Sequence, residues 1–252
     1  MYDMIELSFD ERFDRVNERI TLIQKKDGLT FGTDAFLLAA FIRSQRNAYA
    51  VELGAGTGII SLLLAAKDKL ASIDAYEIQK DFCDITARNI DYNGFSDRIR
   101  AINADIRDIS PKIEADVVFT NPPYMRTDSG KRNESDRKYI ARHEVCGNID
   151  DFCAAAYKLL KHGGRFYCVW RPDRLTGLIS AMRSHRLEPK QMVFVHGDCD
   201  SEPSMVLVSA TKGGAEGVKI LPPLFLYEKQ IFENGARVMT QRAREIYDNV
   251  NF

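Results

Sequence analysis

Short apolar runs of strand length alternate along this chain with longer stretches whose apolar positions recur at helical spacing. Residues 48–53 read as a strand ending at a glycine turn, and 59–67 as the helix after it. Residues 71–78 read as a second strand, and 80–92 as a helix stopped by Asn93-Gly94, a pair suited to a left-handed cap. A third strand is predicted over 99–104 and a fourth over 115–120, where two prolines forbid further ladder pairing. A helix over 150–160 stops at His162-Gly163-Gly164, and a strand over 165–170 leads to a helix over 174–184. This alternation predicts an α/β fold, a mostly parallel sheet with helices on both faces.

The rhythm changes toward both ends. Residues 191–196 and 204–211 are β-rich and joined by a polar connection with no room for a crossover helix, so they should pair antiparallel. The expected sheet is therefore seven-stranded, with a C-terminal antiparallel hairpin. Before the sheet, residues 20–24 and 29–31 flank Lys25-Lys26-Asp27-Gly28, a hairpin by its Asp-Gly turn. Residues 34–42 then read as a helix, with Thr33 or Asp34 as its N-cap. Residues 1–45 are thus an extension packed on the core, and 229–252, with Arg237, Arg242 and Arg244, a helical tail.

Composition narrows the function classes. Of the 252 residues 45% are apolar and 28% charged, which excludes disorder and a disulfide-stapled miniprotein. Lys and Arg total 35 against 36 acids, a net charge of −1, so binding to nucleic acid by bulk charge is excluded while a local basic patch is not. Five scattered cysteines without a CxxC pair read as free thiols of a reducing cytosol. The four histidines show no zinc spacing, so no metal is expected. The acidic N-terminus has no apolar signal core, and the longest apolar stretches, such as residues 35–42, are too short for a bilayer. A cytoplasmic protein without a membrane partner is expected.

The glycine turn carries the first chemistry. Glu52-Leu53-Gly54-Ala55-Gly56-Thr57-Gly58 spaces its glycines as G-x-G-x-G, whereas a dinucleotide fingerprint runs G-x-G-x-x-G. A triphosphate loop is absent as well. Glu77 ends the second strand, where a carboxylate can accept both hydroxyls of a ribose, and Asp105 ends the third, where it can accept from an adenine amine. Each alone reads as a solvated loop acid. Together with the glycines, at the carboxyl edge of the sheet, they fit a nucleoside without pyrophosphate, with S-adenosylmethionine as the best candidate.

Thr120-Asn121-Pro122-Pro123-Tyr124 carries the second. The lone pair of an exocyclic amine or an amide is delocalised and attacks poorly. The side-chain oxygen of Asn121 and the carbonyl of Pro122 can each accept one N–H of an NH2 group, hold it in line with a methyl donor and stabilise the developing positive charge. Pro123 stiffens the turn, and Tyr124 offers a face on which a base can stack.

These motifs resemble the class I S-adenosylmethionine-dependent methyltransferases of the N-P-P-Y group, which act on adenine N6, guanine N2 or glutamine amides. Phe31-Gly32-Thr33-Asp34-Ala35-Phe36-Leu37-Leu38 is similar to the segment before the glycine loop in bacterial tRNA adenine-N6 methyltransferases, which modify an adenosine beside the anticodon of one valine tRNA. Ala141-Arg142-His143-Glu144, Gly163-Gly164-Arg165-Phe166, Arg171-Pro172-Asp173-Arg174-Leu175 and Leu221-Pro222-Pro223-Leu224 are similar to family segments too, and the resemblance spans residues 18–228. It implies a Rossmann-like methyltransferase domain over 46–228. It places Phe31 and Thr33 by the methionine part of the donor and Glu52, Gly54, Ala55 and Gly56 at the loop. Glu77 with Ile78 would lie at the ribose, Asp105 with Ile106 at the adenine, and Asn121 with Tyr124 at the target.

Residues 125–148 are polar and carry Lys131, Arg132, Arg137, Lys138 and Arg142. They read either as a solvated loop or as a loop that follows RNA phosphates beside an unpaired or flipped base. Together these motifs point to N6 methylation of adenine in RNA, in a tRNA near its anticodon. A release-factor glutamine, a ribosomal-RNA guanine N2 or a DNA adenine would present a similar NH2 group. A donor-binding scaffold without activity is the reading from another class.

Overall fold

The computed structural model describes residues 6–26, 32–110, 113–122, 147–233 and 236–252. In chain order, β1 (Glu11–Arg15) and β2 (Thr21–Lys25) precede α1 (Thr33–Phe41) and β3 (Gln45–Leu53). Then come α2 (Ile59–Ala66), β4 (Leu70–Glu77), α3 (Lys80–Tyr92), β5 (Ile99–Asn103) and β6 (Ala115–Thr120). After residue 147 follow α4 (Ile149–Leu159), β7 (Leu160–Trp170), α5 (Leu175–Ser184), β8 (Leu187–His196) and β9 (Pro203–Lys212). The chain continues through β10 (Lys219–Ile220), β11 (Leu224–Phe225), β12 (Tyr227–Glu233), β13 (Ala236–Met239) and α6 (Gln241–Asn249).

The main sheet runs β10-β8-β9-β7-β6-β3-β4-β5, and β11 adds to β8. Strands β3 to β7 are parallel, while β9 lies antiparallel to both β7 and β8. Among the described residues the sheet has nine strands rather than the seven expected, because the two-residue β10 and β11 add to β8 beside the seven longer ones. Alternate residues feed opposite cores, as a period of two requires. Val117 and Phe119 join the face covered by α1, α2, α6 and Ile90 of α3, whereas Val118 joins the face of α4 and α5 with Phe152, Leu178 and Met182. Every residue of α2 is buried, which suits a helix with no polar stripe, enclosed between the sheet and α1.

Local chemistry sets the element ends. The side chain of Asn148 accepts from the amides of Asp150 and Asp151, and Asp151 accepts in return from the Asn148 amide, closing a capping box at the start of α4. Beyond α3, Gly94 is left-handed at φ +73° and the Phe95 amide donates to the Ile90 carbonyl at 3.0 Å.

Strand β2 pairs antiparallel with Glu11–Arg15, and its expected partner, residues 29–31, lies outside the described residues. Three expectations need correction. Helix α4 ends before His162-Gly163-Gly164: β7 begins at Leu160, and its register against β6 jumps from Ala115↔Leu160 to Val117↔Arg165, so the glycines lie in a strand irregularity. Neither Thr33 nor Asp34 caps α1, because the capping position is Gly32. The segment beyond 228 is not wholly helical, since β12 and β13 pair antiparallel before α6.

That segment is fastened by a buried amine. Lys69, 3% exposed, donates to the carbonyls of Ala39 (2.8 Å), Ala40 (3.0 Å) and Val250 (3.0 Å), tying the end of α1 to the residues after α6. Burial pushes its pKa down to about 8. Phe41 packs edge-on against Phe252, and Phe36 stacks on Tyr247 of α6 at 5.2 Å. Lys69→Met keeps the apolar stem but leaves three carbonyls without their donor. It should cost on the order of 3 kcal/mol in thermal unfolding and speed proteolytic cleavage beyond residue 240, read by mass spectrometry.

Candidate functional site

From β3 the chain winds outward through β4 and β5 and returns on the other side of β3 as β6. The carboxyl ends of β3 and β6 therefore diverge at a topological switch point, where such sheets form their ligand crevice. Leu53 is in register with Thr120, whose hydroxyl donates to the Leu53 carbonyl at 2.8 Å. Gly54 and Asn121 are the next residues on the two strands, so the glycine loop and the Asn-Pro turn start side by side.

The loop is held from two directions. The amides of Gly54 and Ala55 both donate to the Tyr76 carbonyl at 2.9 Å, and the Gly56 amide donates to Glu77 Oε2 at 2.9 Å. From α3, Thr86 Oγ1 donates to the Gly56 carbonyl at 2.7 Å and Asn89 Nδ2 to the Thr57 carbonyl at 2.9 Å. Asn89 also exchanges hydrogen bonds with both backbone groups of Ile23, joining β2 to the loop. Gly58 is left-handed at φ +80°, and a Cβ there would meet Thr86 Cγ2 at 2.9 Å. At Gly56, also left-handed at φ +59°, a Cβ would meet no atom of the described residues within 4 Å, which leaves space on that side of the loop.

Three acids at this edge have three environments. Glu52, 1% exposed, accepts from the Ser61 hydroxyl of α2, and burial raises its pKa to about 8. Its carboxyl is shut away from solvent and supports the start of α2. Glu77, 5% exposed, accepts from the amides of Gly56 and Gln79, and burial again raises its pKa. Asp105 heads a short 310 turn and accepts from the amide and guanidinium of Arg107, which hold its carboxyl below the usual range. A nucleoside without pyrophosphate fits: there is space at Gly56, Glu77 ends β4, and Asp105 lies two residues beyond the end of β5 rather than in it. Ala55 and Ile106 are buried beside them, and Ile78 is half-buried.

Asn121 follows β6 directly, and its Nδ2 donates to Asp34 Oδ2 of α1 at 2.9 Å. Pro122 is buried. Thr33 lies at the start of α1, close to the Tyr247 phenol. Phe31, Pro123, Tyr124, Lys131, Arg132, Arg137, Lys138 and Arg142 lie outside the described residues.

Sequence reasoning missed Asp34, Ser61, Thr86 and Asn89 as parts of this site. For Thr86 and Asn89 a signal existed: they sit three residues apart among Cys83, Ile85 and Ile90 on the buried face of α3. Polar groups buried in an apolar stripe need partners, and here the partners are loop carbonyls.

The family model described as methyltransferase small domain matches residues 25–185. The chain is 31% identical over 194 residues to the tRNA1(Val) (adenine(37)-N6)-methyltransferase of Phocaeicola vulgatus, covering 76% of this chain and 81% of that protein. It is 30% identical over 193 residues to the protein of that name from Parabacteroides distasonis, covering 76% and 80%. Among solved structures, a predicted O-methyltransferase from Agrobacterium tumefaciens superposes with a TM-score of 0.69 at 22% identity, covering 87% of this chain and 97% of the other. At that identity the likeness is one of fold.

The raised pKa of Glu52 has a stability consequence. Its ordinary value is 4.5 and its folded value about 8, so between those pH values the folded chain holds a proton that the unfolded chain has lost. This contribution is complete below pH 4.5 and is lost as pH rises through about 8. Glu52→Gln, neutral throughout, should flatten the fall in melting temperature between pH 5 and pH 8.5 by roughly 5 °C, measured without ligand.

Proposed function

The chain belongs to the methyltransferase small domain family and is an S-adenosylmethionine-dependent N-methyltransferase; we propose that its acceptor is the exocyclic N6 of an unpaired adenine in RNA, in a tRNA near the anticodon. Two relatives at 30% and 31% identity carry the name of a tRNA adenine-N6 methyltransferase, which supports this acceptor over a glutamine amide or a guanine. The observation that carries the reading is the placement of Asn121 at the end of β6, beside the glycine loop at the end of β3.

When bound, S-adenosylmethionine supplies an electrophilic methyl group on a sulfonium. Gly54, Ala55 and Gly56 would hold it through backbone groups, with Glu77 and Ile78 at the ribose and Asp105 and Ile106 at the adenine. Phe31 and Thr33 would flank its methionine part. On the acceptor side, Asn121 Oδ1 and the Pro122 carbonyl each accept one N–H of the target amine. That pairing aims the nitrogen lone pair and stabilises the positive charge that grows on it. Pro123 keeps the turn stiff and Tyr124 stacks on the base. Lys131, Arg132, Arg137, Lys138 and Arg142 neutralise phosphates around the extruded nucleotide, so binding should weaken with salt.

Radiolabelled S-adenosylmethionine incubated with total RNA from a strain lacking the gene should yield N6-methyladenosine in tRNA on nucleoside analysis. Asn121→Ala should lower turnover by roughly 10²- to 10³-fold while donor affinity, read by calorimetry, stays within about threefold. Label in release factor alone, run in parallel, would move the substrate from RNA to protein.

A further inference from the structure

A side-chain amide has two faces of nearly equal size, and only one serves this reaction. With its oxygen toward the target amine, Asn121 accepts an N–H; rotated by half a turn, it would present its own NH2 and repel the substrate. Asp34 Oδ2 accepts from Asn121 Nδ2 at 2.9 Å, although the two residues stand 87 positions apart in sequence. An ionised carboxylate only accepts hydrogen bonds, so it draws the amide nitrogen toward itself and turns Oδ1 to the other side. Its negative charge also polarises the amide and strengthens Oδ1 as an acceptor.

We propose that Asp34 is a positioning residue for methyl transfer, setting the rotation of the Asn121 amide. The inference rests on the acceptor role assigned to Asn121 above.

The carboxylate is itself held in place. Asp34 Oδ1 accepts from the Ala35 amide at 2.9 Å in the first turn of α1, where the helix dipole favours an anion. Gly32 makes room for it. The backbone there, at φ −109° and ψ −178°, is extended and open to any residue, so conformational freedom does not explain the glycine. Space does: a Cβ at Gly32 would lie 2.7 Å from Asp34 Oδ1. Behind the carboxylate, α1 is braced by the stack of Phe36 on Tyr247 and by the hold of Lys69 on Ala39 and Ala40. An orienting group on a braced helix keeps its geometry better than one on a loop.

The test is a double-mutant cycle in single-turnover methylation of unmodified total tRNA with radiolabelled S-adenosylmethionine. Asp34→Ala should slow the chemical step by on the order of 10²-fold while the KM for the donor stays within about twofold. Asp34→Asn keeps an acceptor oxygen and should recover to within about tenfold of wild type. In an Asn121→Ala background, Asp34→Ala should change the remaining rate by less than about twofold, because the group it positions is gone. Gly32→Ala, which displaces the carboxylate without removing it, should slow wild type but leave the Asp34→Ala variant unaffected. Thermal melts of all variants check the fold. If Asp34→Ala slows the Asn121→Ala variant as strongly as it slows wild type, or acts by raising the donor KM, the positioning role is wrong and the role of Asn121 stands. If Asn121→Ala turns over at the wild-type rate, the acceptor reading fails and this inference falls with it.

Discussion

The pairing of β3 with β6 is the constraint on which the site depends. The two strands are remote in sequence, yet Leu53 and Thr120 share a register position, and a buried hydroxyl bonds the carbonyl across from it. A slip of one residue would send Val118 and Phe119 to the wrong faces and mix two cores that are kept apart. Because that slip is so costly, the glycine loop and the Asn-Pro turn leave the sheet at one fixed separation. The supports from α1 and α3 then only have to refine what the sheet has set.

The acids at this edge show how burial divides one residue type into several tools. Burial raises the pKa of Glu52 to about 8, and its carboxyl serves as an internal hydrogen-bonding group for α2. Asp105 is kept ionised by Arg107 on the surface. Glu77 lies between them: burial works against its charge, while the amides of Gly56 and Gln79 work for it.

Much of the sheet was legible because its strands and helices carry clean periods. The helix over 80–92 and the strand over 115–120 begin and end where the apolar pattern does. Strand β1 was hidden because four of its five residues are charged, and it is held by polar bonds such as those of Arg88 to Glu11 rather than by an apolar stripe. Gly163 misled because a left-handed glycine, here at φ +77°, serves a strand irregularity as readily as a helix end. In the tail, the antiparallel pair β12 and β13 was hidden behind a helical reading that rested on Arg237, Arg242 and Arg244. Of the site, the loop and the Asn-Pro turn were visible as local motifs. The bond from Asp34 to Asn121 has no local signature, since neither residue's neighbours encode the other.

The amine of Lys69 links a residue made early in synthesis to one made much later. Until Val250 has left the ribosome, that amine lacks one of its three carbonyls, and α1 has neither Tyr247 nor Phe252 against it. The parallel sheet can form before then, because all of its long strands precede residue 213. The helix that carries Asp34 cannot be fully braced so soon. A nascent chain would therefore own its fold before it owned a finished active site, and methylation competence would arrive as a late, separate step of maturation.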